Sequence, residues 1–278
     1  MPTIQTKHTL APQTELYYET YGEGRPVVLI HGWPLSGRMW EGQIDALRHA
    51  GYQVIAYDRR GFGQSGKTAT GYTYDVFASD LKDLIEALSL NDVTVVGFSM
   101  GGGEVSRYAG LFGTQYLRSA ALISSVAPYL LKTEGNPDGG MAEADVEGMV
   151  QKVAANRPQF LAGFTKNFLN WDENGAKLGD EFLDFTASLY FQASPVATQE
   201  CVRAFAMTDF RADLAKLTVP LLVVHGDADQ IVPLEASGQR VPQYQPNAEL
   251  HVMKGAPHGL NATHAEEFNK VLLEFVAR

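Results

Sequence analysis

The sequence predicts an α/β protein built on a mostly parallel central sheet with helices on both faces. Three observations predict it. Short apolar, β-branched runs recur with no polar face, as parallel strands covered on both sides require. Longer stretches between them space apolar residues three and four apart, the period of an amphipathic helix. The two kinds of segment alternate, which points to strand–helix–strand units.

In chain order, Ile4 to His8 and Glu15 to Tyr21 read as an antiparallel hairpin leading into the sheet. Buried-strand patterns follow at Pro26 to His31 (PVVLIH), Tyr52 to Tyr57 (YQVIAY), Val93 to Phe98 (VTVVGF) and Ala120 to Ser124, then at Leu221 to His225 (LLVVH) and Glu249 to Met253 (ELHVM). Helices are expected over Trp40 to Ala50, Val76 to Leu88 and Gly102 to Phe112. From Pro128 to about Asp213 the rhythm breaks and no strong strand pattern is found. Lys132 to Gly140 (KTEGNPDGG) is a loop by its Gly, Asn and Pro content. Helical patterns then cover Glu143 to Ala155, Pro158 to Leu169, Asp180 to Phe191 and Pro195 to Met207, the last opened by Ser194 as N-cap and Pro195 in the first turn. The expected organisation is one core domain, residues 1–127 and 214–278, with a helical cap, residues 128–213, inserted in it. The insertion is rich in aromatics, including Phe160, Phe164, Phe168 and Phe205. Most are expected to pack it onto the core, and a few to line an apolar pocket beneath it.

Composition narrows the function. Among 278 residues, 22 are Lys or Arg and 32 are Asp or Glu, a net charge of −10. There is no basic block, so neither nucleic acid nor an anionic membrane surface is an expected partner. The one cysteine, Cys201, excludes an intramolecular disulfide and a Cys-based zinc site. No run of 18 apolar residues and no signal-peptide pattern at Met1 to Ala11 are found, so a soluble cytoplasmic protein is expected. Asp58 to Ser65 (DRRGFGQS) matches neither a dinucleotide nor a phosphate loop and reads as a turn held by local charge pairs. No metal or other cofactor is expected.

The chemistry starts at Gly97-Phe98-Ser99-Met100-Gly101, a G-x-S-x-G directly after a strand and before a helix. The turn is so sharp that small residues are needed two before and two after the serine, and it pushes the Ser99 hydroxyl out at the C-terminal edge of the sheet. The following helix N-terminus faces it with free N–H groups. Serine is a poor nucleophile without a base. Of seven histidines, His225 and His251 fall in strand runs and read as packed core groups, while His8, His49 and His264 read as surface residues. His258, in the loop Gly255 to Gly259 after the last strand, lies at the same sheet edge as Ser99 and is the expected base. The acid that orients it should follow another strand, and Asp227 and Asp229 compete for that role. The oxyanion donors are expected to be the N–H groups of Met100 and of Trp33, in the loop His31-Gly32-Trp33-Pro34 after an earlier strand. Pro34 has no N–H to offer.

These residues carry a resemblance. HGWPLSGRMWE (31–41), AYDRRGFGQS (56–65), VGFSMGGGEVSRY (96–108), HGDADQIVP (225–233) and GAPHGLNATH (255–264) resemble the α/β-hydrolase superfamily, and within it the cofactor-free (non-haem) haloperoxidase, perhydrolase and arylesterase group. The resemblance spans essentially the whole chain. It implies Ser99 as nucleophile, Asp229 as acid, His258 as base, and Trp33 and Met100 as oxyanion donors, with Trp33, Pro34, Phe98 and Ile231 around the substrate. It implies a small-molecule ester or carboxylic acid as substrate, hydrogen peroxide and halide as further partners, and often a homo-oligomer. The implied reaction is acyl transfer through Ser99 to water or to peroxide, the released peracid then oxidising halide without a cofactor. Pro34 restricts the backbone of Trp33 and can aim the Trp33 carbonyl at peroxide; Pro34→Leu is then expected to lower the ratio of perhydrolysis to hydrolysis, and an unchanged ratio would refute this. Other readings on the same scaffold are a lactonase, a C–C bond hydrolase or an amidase, or a small-ligand binding protein.

Overall fold

The computed structural model describes residues 2–278. Eight strands form one sheet: β1 (Thr3–Gln5), β2 (Glu15–Tyr21), β3 (Pro26–Ile30), β4 (Gln53–Tyr57), β5 (Val93–Phe98), β6 (Leu117–Ile123), β7 (Leu221–Gly226) and β8 (Ala248–Met253). Their order is β1-β2-β4-β3-β5-β6-β7-β8. The pairs β1–β2 and β2–β4 are antiparallel, and all later pairs are parallel. Every residue of β5 and β7 is buried, which is why these runs carry no polar face. β8 closes the edge and is half-exposed.

The chain leaves β3 for β4 on one side and returns to β5 on the other. The crevice beyond the C-terminal ends of β3 and β5 is therefore a topological switch point, where open α/β sheets bind ligands. Helices α1 (Glu41–His49), α2 (Tyr74–Ala87) and α3 (Met100–Phe112) connect the first parallel strands. Between β6 and β7 come α4 (Glu143–Leu169), α5 (Trp171–Leu178), α6 (Asp180–Tyr190), α7 (Pro195–Met207) and α8 (Arg211–Leu214). Then α9 (Val241–Tyr244) precedes β8, and α10 (Leu260–Thr263) and α11 (Ala265–Val276) follow it. Among the described residues, no helix is long and apolar enough to cross a membrane.

Several expectations are corrected in detail. The two helices expected at 143–155 and 158–169 abut as α4, broken at Asn156 (φ −155°, ψ 79°). The Asn156 carboxamide oxygen accepts the Gln159 N–H at 3.1 Å and so caps the second half, with Pro158 in its first turn. Helix α5 (WDENGAKL) was not expected, because it is short, fully buries no residue and sets only Trp171 and Leu178 against the core. The turn at Asp58 to Ser65 is not held by local charge pairs. Asp58 accepts the N–H groups of Gly37 at 2.8 Å and Gln64 at 2.7 Å, while buried Arg59 and Arg60 reach Glu104 and Asp80, each at 2.6 Å. A buried guanidinium needs a carboxylate, and the packed helices α2 and α3 supply it. His251, on the edge strand, is half-exposed rather than core, 3.6 Å from Glu267. His8 is mostly buried and bonds Asp80 at 2.8 Å, so it is not a surface residue.

Candidate active site

Ser99 joins β5 to α3 with φ 52° and ψ −115°, a left-handed value that costs a non-glycine residue roughly 1–3 kcal/mol. The surroundings hold it there. Its N–H donates to Ile123 O at 2.8 Å, and its carbonyl accepts from Gly102 N at 3.0 Å and Val126 N at 3.3 Å. The flanking glycines are a matter of space. A Cβ on Gly97 would lie 2.3 Å from Gly101 O, and one on Gly101 would lie 2.5 Å from Ile30 O. The turn can close only because both side chains are missing.

His258 is carried by the loop after β8. Its carbonyl accepts from Ser124 Oγ at 3.0 Å, and the next N–H, from Gly259, donates to Phe168 O at 2.8 Å on α4. The imidazole is held between the rings of Phe98 and Phe168, with centroids 5.2 and 5.3 Å away. Its Nε2 stands 2.9 Å from Ser99 Oγ, and its Nδ1 stands 2.6 Å from Asp229 Oδ2. Asp229 follows β7, and its other oxygen, Oδ1, accepts the N–H groups of Ile231 at 2.9 Å and Val232 at 2.8 Å. All three side chains are buried.

The competition between the two aspartates is resolved by partners. Asp227 accepts the Gly255 N–H at 2.6 Å and so pins the loop that carries His258, whereas Asp229 touches the imidazole itself. Burial alone would raise the Asp229 pKa. The electrostatic pull and hydrogen bonds of the His258 and His225 rings outweigh burial and hold the carboxyl well below the usual carboxylate range. Ionised Asp229 thereby selects the tautomer with Nδ1–H towards itself, leaving Nε2 free to accept from Ser99. His264 bonds Thr263 Oγ1 at 2.9 Å and is no part of this chain of groups.

Two histidines bear on the site through contacts that were not expected: His225, read as a packed core group, and His31, read as part of the loop that carries Trp33. His225 Nε2 donates to Val232 O at 2.8 Å and lies 3.2 Å from Asp229 Oδ2, so it braces the loop that holds the acid. His31 is fully buried, and desolvation together with the Arg59 charge keeps its pKa well below normal. Neutral His31 accepts the Arg59 N–H on Nε2 at 2.9 Å and donates from Nδ1 to Gly32 O at 2.9 Å. That carbonyl belongs to the same planar peptide as the Trp33 N–H, so His31 orients that donor. The imidazole positions in the sequence signalled neither role, because both depend on what packs against them.

Beside Ser99 lies a cavity of about 190 Å³. Trp33, Val126, Leu130, Met141, Met149, Phe160, Phe164, Phe205, Ile231 and Val232 line it, and the polar side chains on its wall are Ser99 and Gln230. Trp33 is fixed by its indole N–H to Thr198 O at 2.9 Å and by edge contacts with Phe164 and Phe205, centroids 5.2 and 5.7 Å away. Of the residues expected around a substrate, Trp33 and Ile231 line the cavity. Phe98 does not, because it is fully buried between Trp40, Phe168 and His258. Pro34 is buried beside Trp33, off the cavity wall, and the peptide joining them is cis.

The family model for the alpha/beta hydrolase fold matches residues 25–265. The chain is an α/β-hydrolase. This hydrolase is similar to a crystal structure of a bromoperoxidase from Bacillus anthracis, with a TM-score of 0.94 and 47% identity over 100% of both chains. It is 44% identical to a non-heme chloroperoxidase of Kitasatospora aureofaciens, over 94% of this chain and 96% of that one. It is 35% identical to a bifunctional esterase/perhydrolase of Acinetobacter calcoaceticus, over the same shares of each chain. Within its family, the hydrolase belongs to the non-haem haloperoxidase group.

Proposed function

We propose that this hydrolase cleaves carboxylic esters through an acyl-enzyme on Ser99, and that hydrogen peroxide competes with water for that acyl group. One observation carries the reading: Ser99 Oγ, His258 and Asp229 form an unbroken hydrogen-bonded series, at 2.9 and 2.6 Å, that opens on an apolar cavity. His258 Nε2 takes the hydroxyl proton as Ser99 attacks the carbonyl, and Asp229 stabilises the imidazolium that forms. The carbonyl oxygen, now negative, is received by the N–H groups of Trp33 and Met100. Removing one such donor typically costs about 10²–10³ in rate. His258 returns its proton to the leaving alcohol.

Attack by water then gives the acid, and attack by peroxide gives a peracid, which oxidises bromide or chloride once released. The names of the relatives, one an esterase/perhydrolase and one a chloroperoxidase, support both outcomes. In this reading residues 128–213 serve as a cap that roofs the acyl group, a cytoplasmic setting suits the buried thiol of Cys201, and identical chains assemble. The test is turnover of p-nitrophenyl acetate by wild type and Ser99→Ala. Wild type is expected to be active and the variant at least about 10³-fold slower; equal rates would remove Ser99 from the mechanism. Peroxide with and without bromide then separates a perhydrolase from a plain esterase, and sedimentation reads the assembly.

A further inference from the structure

The chain has seven methionines, and the cavity singles out two of them. Met141 and Met149 both line the wall shared with Ser99, and both are half-buried. Met100, adjacent to Ser99 in the chain, has its side chain fully buried, as has Met253. Met39 and Met207 are half-buried but lie off this cavity, and the Met39 sulfur already receives the Gly32 N–H at 3.4 Å. The cysteine sulfur, Cys201, is fully buried, and burial pushes its thiol well above its usual pKa. A reactive oxygen donor released at Ser99 therefore meets two thioethers on a wall that is otherwise hydrocarbon, aromatic ring and one carboxamide.

We propose that Met141 and Met149 are self-oxidation sites: peracid formed at Ser99 converts their thioethers to sulfoxides before it escapes. The inference rests on the perhydrolase reading above. The step balances. A sulfur lone pair attacks the distal peroxy oxygen, the O–O bond breaks, and an S–O bond forms. The proton on the transferred oxygen passes to the carbonyl oxygen of the departing carboxylate, so the peracid is reduced to its carboxylic acid while the sulfur is oxidised by two electrons. Confinement favours it, because a nucleophile held next to a nascent reagent acts at an effective concentration far above that of one in solution. Thioethers are also the soft, oxidisable groups of an apolar pocket. The product changes the site. Each sulfoxide places a strong dipole on a wall whose polar side chains are only Ser99 and Gln230, so an apolar acyl group is bound less well. Continued peracid synthesis thus damps itself, and methionine sulfoxide reduction would restore it.

The test is peptide mapping after incubation with acetate and hydrogen peroxide. Three samples are compared: wild type, Ser99→Ala, and wild type with peroxide but no carboxylic acid. Peracid is followed in parallel by its oxidation of bromide. One added oxygen each on Met141 and Met149 is expected in the first sample alone, about tenfold faster than on Met39 or Met207. The KM for an apolar ester should rise about tenfold as they oxidise. Equal oxidation in the Ser99→Ala sample, or a pattern shared with Met39 and Met207, would overturn the proposal. So would peracid that accumulates while both methionines stay intact, and that result leaves the perhydrolase reading standing. If no peracid forms, the perhydrolase reading fails and the self-oxidation falls with it. The Met141→Leu/Met149→Leu double variant gives a second readout: its perhydrolysis rate, taken relative to its own starting rate, should decline more slowly than that of wild type.

Discussion

In the proposed mechanism Ser99, His258 and Asp229 act as one unit, and their consequences separate when each is altered. Asp229→Asn keeps the shape but favours the wrong imidazole tautomer, so kcat is expected to fall about 10⁴-fold with little change in KM, read by steady-state esterase kinetics. The same carboxyl shapes acid stability. Its pKa is lowered in the folded state, so its contribution is fully present above the unfolded carboxylate pKa, about 4, and is lost as pH falls through the lower folded value. Wild type should therefore lose stability below about pH 4, and Asp229→Asn should lose less over that window; denaturant titrations at pH 7 and pH 3 check this. At this scale much was legible. A serine between two glycines and a histidine after the last strand declare themselves by type and spacing. The choice of Asp229 over Asp227 needed the family resemblance, because both follow the same strand and only the distance to His258 divides them. His31 and His225 were illegible, since their work is to hold a peptide and a loop that the sequence does not show beside them.

Elements meet at the site through contacts that leave no local trace. Strand β5 can turn into α3 only without a side chain at Gly97, so Gly97→Ala should destabilise by about 3 kcal/mol or more, or fail to fold, as measured by denaturant midpoint. The loop after β3 is tied to α3 through Arg59. Its guanidinium donates to His31 O at 2.8 Å and to Glu104 at 2.6 Å, and Tyr57 donates its hydroxyl to the same carboxylate. Burial brings the Arg59 pKa down to about 10, which still leaves it charged at neutral pH. Glu104→Leu strands that charge in the core. It should cost about 3–5 kcal/mol and lower the melting temperature by about 10 °C, followed by calorimetry. The parallel strands were legible because burial on both faces forces continuous apolar runs. The onset of β6 at Leu117 was not, because Arg118 interrupts its run. Nor was the pairing of Arg59 with Glu104, 45 residues away.

Across the whole molecule, the strand ends of the sheet carry Ser99, Asp229 and His258, and the segment between β6 and β7 supplies most of the apolar wall. Ser99 and the loop from His31 to Pro34 follow two strands on either side of the switch point, and Asp229 and His258 follow the last two strands. The cavity lies where these ends meet α4 and α7, so its length is set by side chains such as Phe160. Phe160→Ala should extend it and move the preferred acyl chain to longer esters, read as a several-fold change in the ratio of kcat/KM for hexanoate over acetate; an unchanged ratio would place the acyl group elsewhere. The chain's net charge of −10 has no part in this, for the cavity wall carries no charged side chain. The strandless stretch after Pro128 was legible as helical, but which of its aromatics reach the cavity was not, since a helix period does not say how far a helix tilts over a sheet. The most direct test of the account is rapid-quench mass spectrometry with p-nitrophenyl acetate. It predicts one acetyl group on the Ser99 peptide, decaying faster as hydrogen peroxide is added while peracetic acid appears in step. An acetyl group on another residue, or decay indifferent to peroxide, would contradict it.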